Sequence, residues 1–157
     1  MINAIIYTGL FLVAFFGMEF IAWITHKYLM HGALWFLHED HHLHPKDQGF
    51  FQKNDYFFLI FATPGILLIF SGITFEMKTL LFLGLGITFY GFTYFLVHDV
   101  FIHQRFRILK KSYKSYFRAI RKAHKVHHKH LGKEDGECFG MLWVPKKYYR
   151  EANNNIR

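Results

Sequence analysis

Residues 4 to 25 read AIIYTGLFLVAFFGMEFIAWIT, a run of twenty-two residues in which Glu19 is the single charge. As a helix rising 1.5 Å per residue, the run is long enough to cross a hydrocarbon core of about 30 Å. Two further uncharged runs follow, YFFLIFATPGILLIFSGITF at 56–75 and TLLFLGLGITFYGFTYFLV at 79–97, with only Glu76, Met77 and Lys78 between them. That pattern is a helical hairpin. Pro64-Gly65 interrupts the second run, and proline is tolerated in spanning helices where neighbours satisfy the freed carbonyl. Met1, Ile2 and Asn3 carry no basic n-region, so the first run reads as an uncleaved span rather than a secretory signal. The sequence therefore predicts an all-α integral membrane protein with about three spanning helices, folded as one domain over 1–157.

Three crossings place 26–55 and 98–157 on the same side of the bilayer. All twelve histidines fall there, as do all of the nineteen Lys and Arg residues except Lys78. Fifteen of those cations lie between 98 and 157, including Arg105, Arg107, Lys110, Lys111 and Lys114 just beyond the third run, which accounts for a net charge of +8. Positive residues stay inside, so the histidine side is expected to be cytoplasmic and the location a bacterial inner membrane. The basic stretch 104–130 is interleaved with Tyr113, Tyr116 and Phe117, a mixture that also suits nucleic acid. Topology and anionic lipid already explain it, so no nucleic-acid partner is assigned. Membrane lipid and an acidic electron-donor protein are the partners that this charge suits. Cys138 is the only cysteine, which excludes an intrachain disulfide and a thiolate metal cluster. The sequence assigns no oligomeric state.

The histidines form a repeat of two. Each half opens with a pair five apart at the end of a span, His26 and His31 in HKYLMH, then His98 and His103 in HDVFIH. Each half continues with H-x-x-H-H, His38, His41 and His42 in the first and His124, His127 and His128 in the second, with His44 and His130 two residues further on. On a helix, positions i, i+3 and i+4 share one face, so each triple is expected to converge. The five-residue pairs diverge by about 140° on a regular α-helix, and a π-bulge or a frayed end is needed to bring them together. A single buried histidine needs no metal, and a histidine-rich tract for metal buffering needs no fixed spacing. Four clusters at repeated spacing call for another explanation.

Imidazole nitrogen suits zinc, copper, iron and nickel alike. Ten ligands are too many for one tetrahedral site and match two ions of five nitrogens each. Asp99, beside His98, and Glu39 or Asp40, inside the second cluster, are candidates to accept the other ring N–H. His44 and His130 are left off the ligand set as structural or outer residues. Glu19 precedes His26 by seven residues on nearly the same face, and an ionisable group within a span is a functional candidate by default.

With HKYLMHGALWFLHEDHHLHP at 26–45, HDVFIHQRF at 98–106, HKVHHKH at 124–130 and GECFGMLWVP at 136–145, the chain resembles the fatty-acid-hydroxylase superfamily of membrane di-iron enzymes. Within it, the chain is similar to the family of bacterial β-carotene 3-hydroxylases. The resemblance places the metal ligands at His26, His31, His38, His41, His42, His98, His103, His124, His127 and His128. It implies a non-haem di-iron monooxygenase that hydroxylates C3 of the β-ionone rings of β-carotene, through β-cryptoxanthin to zeaxanthin. It further implies two iron ions, dioxygen as co-substrate and a ferredoxin-type donor, with zinc able to replace iron in a purified sample. No catalytic residue is expected beyond the ligands. The boxes set the metal chemistry and leave the substrate open, so a fatty-acid or sterol hydroxylase or desaturase is the competing enzyme. A membrane metal carrier or sensor is the competing non-enzyme; it should line its spans with polar groups, and these spans hold only Glu19.

Overall fold

The computed structural model describes residues 1–43, 49–106, 108, 112 and 114–154. His44, Arg107, Lys110, Lys111 and Tyr113, singled out above, lie outside the described residues. Helix α1 runs Ile2–Ile24 and continues without a break into a π-helical segment, Thr25–Ala33. Helix α2, Trp35–Leu43, follows, then a 3₁₀ turn at Lys53–Asp55 that leads into α3, Tyr56–Thr74. Helix α4, Lys78–Phe95, passes directly into a second π-helical segment, Leu96–Ile102. Helices α5, Ser115–His127, and α6, Lys146–Asn154, complete the chain, and no strand occurs among the described residues.

Three helices are long and apolar enough to cross a membrane, and they cover the three runs read from the sequence. Large apolar side chains point outward along them, among them Val13, Ile66, Phe70 and Phe89, a surface that suits lipid and not water. Helix α4 packs against both α1 and α3. Without a hydrophobic force between helices in lipid, such contacts depend on small residues that let backbones approach. At Gly72 of α3 an added Cβ would come within 2.5 Å of the Leu81 nitrogen, and at Gly86 of α4 it would collide with the Phe11 carbonyl of α1. Helix α3 runs through Pro64 as one helix.

Outside the spans, α5 buries Ala119, Ile120, Ala123, His124 and His127, a single stripe at helical spacing. Tyr148 and Ala152 of α6 close on the two alanines, while Phe101, Ile102 and Met141 pack on Ile120. The histidines of α5 are thus held from behind by a packed apolar layer.

Candidate metal centre

His26, His31 and His98 lie in the π-helical segments, and His103 caps the end of the second. The wider turn is visible in the backbone, where the His103 N–H donates to the His98 carbonyl at 2.8 Å and the Leu34 N–H to the Leu29 carbonyl at 2.8 Å, both five residues back. This under-winding brings the His98 and His103 rings to 4.5 Å and the His26 and His31 rings to 5.2 Å between centroids. Gly32 breaks the first segment with φ −127° and ψ −116°, which turns the chain into α2. The second ends at Gln104, whose φ of 55° lets the Arg105 N–H reach back to the Asp99 carbonyl at 2.9 Å.

The histidines gather into two groups. His26, His31, His38, His42 and His127 form the first; His41, His98, His103 and His124 form the second, the ring nitrogens of each lying within 4.8 Å of one another. His128 adjoins the second, its Nε2 2.9 Å from Nε2 of His124. The expectation that each H-x-x-H-H triple converges on one point is corrected here, because His41 leaves the first half for the second group and His127 leaves the second half for the first. Helical geometry gives the reason: relative to i, position i+4 is displaced by about 40° and i+3 by about 60° in the opposite sense. Positions i and i+4 therefore stay together, and i+3 faces across.

Most ring orientations are fixed from outside. Nδ1–H donates to the carbonyl of Phe139 from His26 at 2.9 Å, of Lys133 from His31 at 3.1 Å, of His130 from His42 at 2.9 Å and of Glu137 from His127 at 2.9 Å. A carbonyl only accepts, so these four rings carry their proton on Nδ1. His38 reaches Asn54 Oδ1 at 2.6 Å, His41 reaches Gln52 Oε1 at 2.9 Å, and His98 reaches Asp99 Oδ2 at 3.2 Å. The first group is therefore oriented mainly by main-chain carbonyls, and the second, at His41 and His98, by side chains.

Arg105 holds the side-chain partners in place. It donates to Asp99 Oδ1 at 3.2 Å and, through both terminal nitrogens, to Asp55 at 2.8 and 2.6 Å. Asp55 in turn accepts the Gln52 N–H at 3.0 Å and so closes the turn that presents Gln52 and Asn54. Asp99 fills the outer role proposed for it. Among the described residues, Glu39 pairs instead with Lys53 at 3.8 Å, and Asp40 accepts the Lys53 N–H at 2.7 Å. Their place on α2 turns them toward the following loop. The roles of Asn54, Gln52, Arg105 and the four carbonyls were not legible in the sequence, because no spacing rule links a loop oxygen to a particular ring, whether ten residues away as for Glu137 and His127 or 113 as for Phe139 and His26.

With the protons on Nδ1, the Nε2 lone pairs point at one another. In the first group His26 and His42 lie 3.1 and 3.2 Å from His38, and His31 lies 3.2 Å from His127. In the second, His41 lies 3.1 Å from His98 and His103 lies 2.8 Å from His124. Nitrogens at about 2.1 Å from an ion and at right angles would be about 3.0 Å apart, whereas a tetrahedron would give about 3.4 Å. Pairs at this spacing can share an ion, and the five histidines of the first group exceed the four ligands of a tetrahedral site. Burial, reinforced by the neighbouring imidazoles, holds His41 and His124 well below the ordinary histidine range, His38 at about 2 and His127 at about 3. All four are neutral near pH 7, the state that binds metal.

A cavity of about 530 Å³ lies against the groups. Its walls are mainly apolar residues of the three long helices, including Met18, Phe61, Ile66 and Gly91, and its lining takes in His26 of the first group and His98 of the second beside Asn54, Asp55 and Asp99. Phe139 also lines it, its ring 5.5 Å from His26 and 5.3 Å from His127.

A fatty acid hydroxylase family model matches residues 11–144, a range containing every histidine of both groups. A beta-carotene hydroxylase of Pantoea ananas is 43% identical over 133 residues, covering 85% of this chain and 74% of that protein. One from Pseudescherichia vulneris is 41% identical over 130 residues, 83% of this chain and 72% of its own. The chloroplastic beta-carotene hydroxylase 1 of Capsicum annuum is 39% identical over 134 residues, 83% of this chain and 41% of the plant protein. No solved structure matches the chain.

Proposed function

The chain belongs to the fatty acid hydroxylase family, and from that premise we propose that it hydroxylates C3 of the β-ionone rings of β-carotene, giving β-cryptoxanthin and then zeaxanthin. Ten histidines hold two iron ions: His26, His31, His38, His42 and His127 one, and His41, His98, His103, His124 and His128 the other. Bound iron supplies the activation of dioxygen that attack on an unactivated ring C–H bond needs and that no side chain provides.

The observation that carries this reading is the cavity that joins the lipid-embedded helices to both histidine groups at once. A long apolar polyene dissolves in the bilayer, so a ring entering along Phe61, Ile66 and Gly91 reaches His26 and His98 without crossing water. Phe139 and Met141 line the same cavity and add apolar surface that keeps water from it. Arg105, Asp99 and Asp55 hold the polar edge of the cavity rigid, so a ring resting against Tyr94 and Phe95 meets the centre in one orientation. The histidine side faces the cytoplasm of a bacterial inner membrane, where the concentration of Lys and Arg after residue 98 meets anionic lipid and a ferredoxin-type electron donor.

Expression in a bacterium that accumulates β-carotene, followed by chromatography of its pigments, tests the proposal. Zeaxanthin and β-cryptoxanthin are expected. Unaltered β-carotene with newly hydroxylated acyl chains would replace this substrate with a fatty acid.

A further inference from the structure

We infer that Glu19 is a positioning residue that holds one of the two histidine groups in register from within the membrane-spanning helix. Its side chain is buried on α1, and Oε1 accepts three successive main-chain N–H groups, from Met141 at 2.9 Å, Leu142 at 2.8 Å and Trp143 at 3.2 Å. Oε2 accepts the Tyr90 hydroxyl at 2.7 Å, which ties the same carboxylate to α4. Successive amides aimed at one oxygen form an anion cradle, and four donors satisfy a carboxylate that apolar surroundings would otherwise disfavour. Close approach is built in at Gly140, where an added Cβ would lie 3.2 Å from Oε1 and 2.9 Å from the Trp143 carbonyl.

The segment Glu19 grips is the one that orients the first group. Phe139 and Glu137 offer their carbonyls to His26 and His127, and Cys138 between them has a φ of 63°, a left-handed turn that separates the two carbonyls. Both rings belong to the first group. The partners of His41 and His98 in the second group, Gln52 and Asp99, lie on other segments. Loosening Glu19 therefore frees the two carbonyls that orient His26 and His127 in one group and leaves Gln52 and Asp99, the partners of His41 and His98 in the other, in place. Neither a general membrane anchor nor a snorkelling carboxylate has that selectivity.

This inference rests on the two-ion reading above. The test uses the full chain in detergent, loaded with ferrous iron, comparing the unaltered protein with Glu19→Ala, Glu19→Gln and Gly140→Ala. Iron per chain is measured by elemental analysis, the two iron environments by Mössbauer spectroscopy and helix content by circular dichroism. Glu19→Ala is expected to keep about one ion per chain with the second-group signal unchanged, since loss of outer partners lowers metal affinity by about 10- to 100-fold. Glu19→Gln retains an accepting oxygen and should recover part of the first-group signal. Gly140→Ala leaves Glu19 present but crowds it, and should weaken the same signal if Glu19→Ala fails to fold. Equal loss of both signals, or two ions retained in every variant, overturns the inference. An unaltered chain that binds fewer than two ions fails the underlying reading instead.

Discussion

His41 Nε2 lies 3.1 Å from His98 Nε2, whereas the adjacent His42 places its Nε2 3.2 Å from that of His38 in the other group. Neighbours in sequence thus serve different centres, and each half of the repeat lends one imidazole to its counterpart. Such an exchange makes neither group complete without both halves of the chain.

This exchange predicts which ion each substitution removes. His41→Ala should deplete the second group although it sits in the first half of the repeat, and His127→Ala should deplete the first. Hydroxylation should fall more than about 100-fold in both, beyond the 10- to 100-fold typical of losing an outer partner. Iron content and Mössbauer spectra of the two variants check the assignment. Depletion of the same iron signal by both would contradict it.

Gln52→Ala leaves every proposed ligand present and removes the oxygen that orients His41, together with the side-chain cap that Gln52 gives the Lys53–Asp55 turn. Hydroxylation should drop about 10- to 100-fold, with second-group iron more easily withdrawn by a chelator. Asn54→Ala should do the same for the first group through His38. Rates of iron loss to a ferrous chelator distinguish the two, and identical rates for both variants would show that the rings are held by something else.

The spans, the repeated clusters and the need for a bulge at His26–His31 and His98–His103 were legible because hydropathy and helical period are local properties. The exchange of His41 and His127 was legible in principle, since i+3 and i+4 lie to opposite sides of i, but treating one face as one point concealed it. Glu19 stood out as a charge in an apolar run. Its partners at 141–143 did not, because a carboxylate gripping main-chain amides leaves no side-chain signature. The same holds for Phe139, Lys133, His130 and Glu137, whose carbonyls do the orienting whatever their side chains are.

Acid should destabilise the metal-stripped protein. Burial keeps His38 at about 2 and His127 at about 3 in the fold, against about 6.5 when unfolded. Between those values and 6.5 the unfolded chain binds protons that the folded chain refuses, so stability is full above about 6.5 and falls as pH drops below it. By pH 5.5 each such ring costs up to about 1.4 kcal/mol. Thermal unfolding of the stripped protein in detergent should therefore shift to lower temperature from pH 7.5 to 5.5, and a flat profile would count against burial of the rings.

Gly91 of α4 lines the cavity, and a Cβ added there meets no atom within 4 Å. The position is open toward the proposed path of the ring and belongs to no histidine cluster, so it separates access from chemistry. Gly91→Phe should fill the passage and leave the fold intact, because the new side chain enters free volume and phenylalanine is better tolerated than glycine inside a helix. Hydroxylation of β-carotene should fall at least about 10-fold, the scale of a misplaced substrate, while iron stays at two per chain and helix content is unchanged. Gly91→Ala, much smaller, should retain most activity. Pigment analysis beside iron analysis reads both quantities from one membrane preparation. Full activity in Gly91→Phe would mean that the ring reaches His26 and His98 by another route, and the lateral path between the helices would have to be abandoned.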